Sequence, residues 1–422
     1  VKINRKSEYY IVILNFFRLA IVQAVNLILP LITIPYIIRI VGIENVGLIA
    51  FATSIINYFG VFINYGFNLT ATKMIAQNLN NHQALNKIFC NVTYSKALLS
   101  FLSLVIFSLL FLFVNFLSEN IFIYIFLFFS AIFTNMSPEW FFQGVQELKF
   151  ITRVNLILKF FATISTFLLI NKPSDFYYLA IIPFCSALLL FFITQTYIRR
   201  KYKLRYSTIS IKEIMKELYV SRYIFLSQVK ITFFNNFNIV VLGFLTDNKI
   251  VGIFSSADKI IKVFSSIQAP IVTSLFPHFA SKVRESKRKS FLEINKIALY
   301  GSLVYGFFLI ILFIFAAYIS KIMFGMYIDE IALLIRIMCF IPLLIFINNL
   351  YGTQYLINTS NEKRFLINLI VAACINVVLI FPLTLYFKEI GTSISVLITE
   401  AFVLFAMYYS AKKIYIKAVN EI

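Results

Sequence analysis

The chain is predicted to be an all-α integral membrane protein, with twelve transmembrane helices forming two pseudo-symmetric six-helix bundles. Three observations carry that prediction. Of the 422 residues, 60% are hydrophobic and only 13% charged, with a mean hydropathy of +0.87, and a soluble chain of this length needs more polar surface. Apolar runs near the ~20 residues that cross a ~30 Å hydrocarbon core recur twelve times along the chain. Lys and Arg crowd the connections on one side of those runs and are sparse on the other, as in multi-pass proteins.

The first six runs are Tyr10–Ile38, Val46–Phe67, Ile88–Val114, Ile121–Phe142, Val154–Ile170 and Tyr177–Ile198. Span 1 is too long for a signal-peptide core and lacks a small-residue cleavage site, so it is read as retained. Its segment ILPLITIPYIIR sets Pro30 and Pro35 around Thr33. Proline frees carbonyls and bends a helix, so this span either carries a static kink or bends in use. The last six runs are Tyr223–Leu245, Val251–Pro277, Ile297–Ala317, Ile331–Ile357, Phe365–Phe387 and Thr392–Ala411. The amino terminus, the connections after even-numbered spans and the carboxyl tail hold 26 Lys and Arg. The connections after odd-numbered spans hold five: Arg39, Lys172, Lys249, Lys321 and Lys388. The positive-inside rule then places both termini in the cytoplasm.

The longest connection, Arg199–Arg222, contains RRKYKLRY and IKEIMKELYVSR and divides the chain into halves, residues 1–208 and 209–422. An internal repeat supports the division. VGLIAFATSIINYF (Val46–Phe59) aligns without gaps on VGIFSSADKIIKVF (Val251–Phe264) with six identities, and the same offset pairs Gln23 with Gln228. Halves with an even number of spans are parallel repeats about an axis normal to the membrane.

Seven basic residues lie within the spans: Arg18, Lys96, Lys159, Lys230, Lys259, Lys262 and Arg336, against three acids, Glu139, Asp258 and Glu400. A cation in hydrocarbon is costly unless it faces protein or water. The surplus therefore predicts a positively lined cavity whose natural occupant is an anion. Arg18, Lys96, Lys159 and Lys230 sit on odd-numbered spans, each about 8–12 Å below the cytoplasmic surface at ~1.5 Å per residue. They form either a ring suited to phosphate oxygens or four side chains snorkelling to the interface. Asp258 and Lys262 share a helix face at i, i+4 and can pair, as a structural ion pair or as a contact that breaks on substrate or proton arrival. Glu400, in mid-span 12, is a candidate proton carrier, and Arg336 could serve the exit side.

Other chemistries find no support. The four cysteines, Cys90, Cys185, Cys339 and Cys374, have no CxxC spacing, so neither disulfides nor a thiolate metal site is expected. His82 and His278 are the only histidines. No HExxH, GxSxG or Walker A pattern occurs, so no cofactor, metal or catalytic residue is expected and the chain is read as no enzyme. The net charge of +20 flanks hydrophobic spans rather than forming a nucleic-acid surface.

PLITIPYIIRIVG with the following VGLIAFA, NYGFNLTATK (Asn64–Lys73) and SPEWFFQG (Ser137–Gly144) closely resemble O-antigen flippases of the Wzx type. These form part of the polysaccharide-transport branch of the multidrug/oligosaccharidyl-lipid/polysaccharide exporter superfamily. The resemblance implies two six-helix bundles facing each other as an inverted V around a cationic cavity. It implies, as substrate, an undecaprenyl-diphosphate-linked oligosaccharide, the O-antigen repeat unit of lipopolysaccharide, moved from the cytoplasmic to the periplasmic leaflet of the bacterial inner membrane by alternating access. The diphosphate would meet Arg18, Lys96, Lys159, Lys230, Lys262 and Arg336, with Asp258, Glu400 and Glu139 in coupling or gating roles. Implied partners are membrane lipids and the polymerase and chain-length regulator of the pathway, with the chain itself monomeric. Lipid II flippases of the superfamily carry two further helices that this chain lacks. Drug exporters use acids in the amino-terminal bundle, where this chain has Glu139 alone; a drug/cation antiporter is the alternative. A membrane-embedded polymerase or acyltransferase would display a long outer loop or a buried acid-base pair.

Overall fold

The computed structural model describes residues 29–30, 32–114, 118–325 and 328–420. Among them the regular structure is helical, with no β-strand. Nine of these helices are long and apolar enough to cross a membrane, and the protein is a multi-pass membrane protein. The chain forms two compact units, Val1–Phe237 and Asn238–Ile422.

In the first unit, α1 (Ile32–Val41) covers the end of span 1 and runs three residues past it. It is followed by α2 (Ile43–Asn64), α3 (Phe67–Gln77), α4 (His82–Phe113), α5 (Ile121–Met136), α6 (Glu139–Gly144), α7 (Leu148–Leu169) and α8 (Tyr178–Lys201). Two spans are broken where they were expected to run on. Span 2 ends at Asn64 because Tyr65 and Gly66 both adopt left-handed backbone. Span 4 ends at Met136 because Ser137, ahead of Pro138, is extended, as the residue before proline prefers.

The two breaks allow α3 and α6 to pack together. Thr72 Oγ1 donates to the Trp140 carbonyl at 3.0 Å. A Cβ on Gly144 would lie 2.6 Å from Ile75, so only glycine admits the contact. Phe67, Ala71, Ile75, Trp140, Phe141 and Phe142 form a single core there. Phe67, Ala71 and Thr72 of NYGFNLTATK thus pack with Trp140, Phe141 and Phe142 of PEWFFQG.

The basic connection is shorter than the sequence suggests. After a loop of residues 202–210, Ile211 opens α9 (Ile211–Leu245), so IKEIMKELYVSR forms its first turns. Ser210 Oγ accepts from the Glu213 amide at 3.4 Å, the S-x-x-E signature of a helix start. These turns dock on α3 and α4. Asn91 donates to the buried Glu217 at 3.1 Å, Lys87 pairs with Glu213 at 2.6 Å, and Thr70 shares a 2.8 Å hydrogen bond with Ser221. Amphipathic sequence beside a polar helix end folded onto it instead of remaining a linker.

The boundary between units falls within α9. Beyond it come α10 (Asn248–Ile267), α11 (Ala269–Glu285), α12 (Lys287–Ile314), α13 (Ala316–Phe324), α14 (Asp329–Met338) and α15 (Ile341–Asn349). A π-helical stretch, Leu350–Ile357, continues α15, and α16 spans Glu362–Asn420. Both copies of the internal repeat are helical and share a burial pattern: Val46, Gly47 and Leu48 are buried as are Val251, Gly252 and Ile253, while Asn57 and Lys262 are both exposed. On α12, Leu303, Phe307 and Ile314 remain more than 60% exposed, an apolar stripe that lipid tails would cover.

The 59 residues of α16 are two arms reversed at Lys388, whose φ of 48° breaks the helix. Cross-arm hydrogen bonds run from Asn368 to the Ala406 carbonyl (3.1 Å), from Asn376 to Thr399 (3.2 Å) and between Thr384 and Thr392 (2.9 Å). These pairs are centred on Lys388, as in an antiparallel hairpin of the expected spans 11 and 12. Gly391 sits at the tight end, where a Cβ would lie 1.9 Å from the Leu383 carbonyl oxygen.

Candidate functional site

The structure gathers three of the intramembrane charges of the first unit. Lys96, on α4, is only 1% exposed, and its Nζ donates to the Asn135 carbonyl at 2.8 Å. That carbonyl stands at the end of α5, just ahead of the Ser137–Pro138 break. Glu139 stands immediately after the break and is half-buried. Its Oε1 accepts from Asn155 Nδ2 at 3.1 Å. Asn155 and Lys159 are spaced i, i+4 on α7 and so present together. A helix break, one carboxylate and cations from two helices thus converge.

The other expected ring members are placed differently. Lys230, on α9, is exposed and has no hydrogen-bond or ion-pair partner among the described residues. Arg18 lies outside the described residues, as does Gln23. Near Lys96, the hydroxyls of Ser95, Ser100 and Ser103 are buried on α4 without hydrogen-bond partners among the described residues. Buried polar groups of this kind commonly hold water.

In the second unit Asp258 and Lys262 form the expected one-turn ion pair, at 2.6 Å. The lysine is 54% exposed and the aspartate 15%, so the pair sits at an edge of α10 with its ammonium outward. Glu400, on the second arm of α16, is 7% exposed and accepts from Asn348 Nδ2 at 2.9 Å. Asn348 lies in the last turn of α15, just before the π-helical stretch, a distortion frequent at functional sites. Its own Oδ1 has no hydrogen-bond partner among the described residues. Arg336, in the last turn of α14, is half-buried, with its guanidinium carbon 6.0 Å from the Phe313 ring centroid.

Asn155, Asn348 and Glu217 escaped sequence reasoning. The i, i+4 spacing of Asn155 to Lys159 was available as a signal, and Asn348 is a polar residue deep in an apolar run. Glu217 offered none, because a charged residue in a basic connection reads as solvated until α9 is seen docked. Among the described residues, no group of three or more His, Cys, Asp or Glu is placed to hold a metal.

Comparison with known proteins accords with this fold. A family model described as "Polysaccharide biosynthesis protein" matches residues 12–283. The chain is 30% identical over 389 residues to an Escherichia coli K12 protein named "Putative O-antigen transporter", covering 92% of this chain and 94% of that one. It is 26% identical over 408 residues to a Shigella dysenteriae protein of the same name, covering 94% and 99%. Among solved structures, an inward-facing multidrug resistance MATE family transporter of the MOP superfamily matches with a TM-score of 0.71 at 12% identity, over 96% of this chain and 99% of that one. The lipid II flippase MurJ in an inward closed conformation matches with a TM-score of 0.68 at 14% identity, over 95% and 90%. At such identities the likeness is one of fold.

Proposed function

Because the chain belongs to the polysaccharide biosynthesis protein family, as PEWFFQG and its companion strings predicted, we propose that it is a flippase for a lipid-linked oligosaccharide. Its cargo in this reading is an undecaprenyl-diphosphate-linked O-antigen repeat unit. Alternating access carries it from the cytoplasmic to the periplasmic leaflet of the inner membrane, across twelve spans with both termini cytoplasmic. The names of the two curated relatives support the substrate class, and the fold supports transport rather than catalysis.

One observation carries the anionic cargo. Among the described residues of the expected spans in the first unit, Glu139 is the one carboxylate against Lys96, Lys159 and Lys230, and Lys230 has no ion-pair partner there. A diphosphate supplies the missing charge where the dielectric is lowered. In the second unit Lys262 and Arg336 extend the cationic set, and Asp258 and Glu400 are the proposed coupling carboxyls.

Charge at Lys230 tests the proposal. Lys230→Gln should reduce export of the lipid-linked glycan several-fold at unchanged protein level, while Lys230→Arg retains most of it. Full export by the Gln variant would remove Lys230 from substrate recognition.

A further inference from the structure

The cationic end of α8 carries more structure than a charge run needs. Arg199, Arg200, Lys201, Lys203 and Arg205 fall within seven residues. The backbone beneath them is fixed. His82 Nε2 bonds the Tyr202 carbonyl at 2.8 Å, Asn86 accepts from the Arg205 amide at 2.8 Å, and Cys90 Sγ donates to the Arg205 carbonyl at 3.2 Å. Leu204 between them is buried, and Lys203 is held at φ 49°. Lys201 pairs with Glu147, whereas among the described residues no carboxylate pairs with Arg199, Arg200, Lys203 or Arg205. These four, with Thr196 and Leu204, line a pocket of 520 Å³.

A second pocket of 760 Å³ adjoins it along α8 and shares Thr196 and Arg200. Phe150, Phe192, Ile193 and Tyr197 line it together with Lys201. A cationic pocket on a fixed backbone, adjoining a largely apolar groove at the end of a span, matches one kind of molecule, an amphiphile with an anionic phosphate head and a hydrocarbon tail. A soluble phosphate would leave the groove unfilled. A hydrocarbon without charge would leave four cations uncompensated.

We propose that Arg199, Arg200, Lys203 and Arg205 bind the phosphate headgroup of a membrane lipid whose chain lies against Phe192 and Ile193. Clustered Lys and Arg at the end of a span attract anionic headgroups, and arginine adds a bidentate fork for phosphate oxygens. The site rests on the membrane-spanning reading, but not on which glycan the protein carries.

Native mass spectrometry of the full-length protein released from detergent tests it, with phosphatidylglycerol, undecaprenyl phosphate, phosphatidylcholine and glycerol 3-phosphate as probes. The variant Arg200→Gln/Lys203→Asn/Arg205→Gln keeps the docked backbone, because asparagine tolerates the left-handed conformation at position 203. It should bind phosphatidylglycerol, undecaprenyl phosphate or both, the net anionic lipids, at least about tenfold more weakly, with zwitterionic phosphatidylcholine unaffected. Loss for phosphatidylglycerol identifies a bilayer lipid as occupant, and loss for undecaprenyl phosphate alone identifies the carrier lipid. A control that removes equal charge elsewhere, Lys287→Gln/Arg288→Gln/Lys289→Gln, should retain binding. Equal losses in both variants, no loss in either, or equally tight binding of glycerol 3-phosphate would overturn the assignment. Since binding is read without transport, a failure of the flippase reading would show separately, in export.

Discussion

Lys96 shows what a single buried charge demands of its surroundings. An ammonium with three donors is enclosed on α4, and one donor is satisfied by the Asn135 carbonyl. Burying an unpaired charge costs several kcal/mol, so Glu139 serves the fold before it serves any substrate. Glu139→Gln keeps the carbonyl that Asn155 needs but removes the counter-charge. It should destabilise the protein by somewhat less than the ~3–5 kcal/mol of a fully buried pair, because Glu139 is only half-buried. Lys96→Met in the same chain should restore most of the loss. Thermal unfolding of the two variants in detergent checks this. An undiminished penalty in the double variant would mean that the two charges are not coupled.

Helices in this chain are decided by a few residues that stop them. Tyr65–Gly66 and Ser137–Pro138 break two apolar runs, and Lys388 reverses the chain between two others. Gly391 makes the last of these possible. The atom a new Cβ would strike is a backbone oxygen of the facing arm, which cannot swing aside as a side-chain end can. Gly391→Ala should therefore lower stability by at least the ~1–3 kcal/mol typical of overpacking. Gly306→Ala on α12, where nothing lies within 4 Å of the new Cβ, should be neutral or stabilising by up to ~1 kcal/mol through helix propensity. The melting temperatures of the two variants should move in opposite directions or differ by several degrees. Equal shifts would argue against the tight hairpin.

At the scale of the molecule, orientation governs every statement about depth. Reporter fusions at Asn171 and Asp247 should read as external and one at Ser207 as internal. An internal signal at Asn171 would invert the proposed direction of the cationic ring and of the lipid site near Arg205. Composition and charge asymmetry were sufficient to predict a helical membrane protein, and the strings around Tyr65 and Trp140 to predict its family. The reason is that hydrocarbon accepts only internally bonded, apolar helices, a constraint written into every span. The i, i+4 ion pair of Asp258 and Lys262 was legible for the same reason, since helix geometry alone places the two together. Other features depended on contacts distant in sequence. Glu139 found Asn155, Glu400 found Asn348 across 52 residues, and Glu217 became buried when α9 docked on Asn91. Sequence determined which groups must leave water, because that cost belongs to each residue. Only the tertiary structure decided which partners meet them there, because packing sets those distances and one helix carries no record of its neighbours.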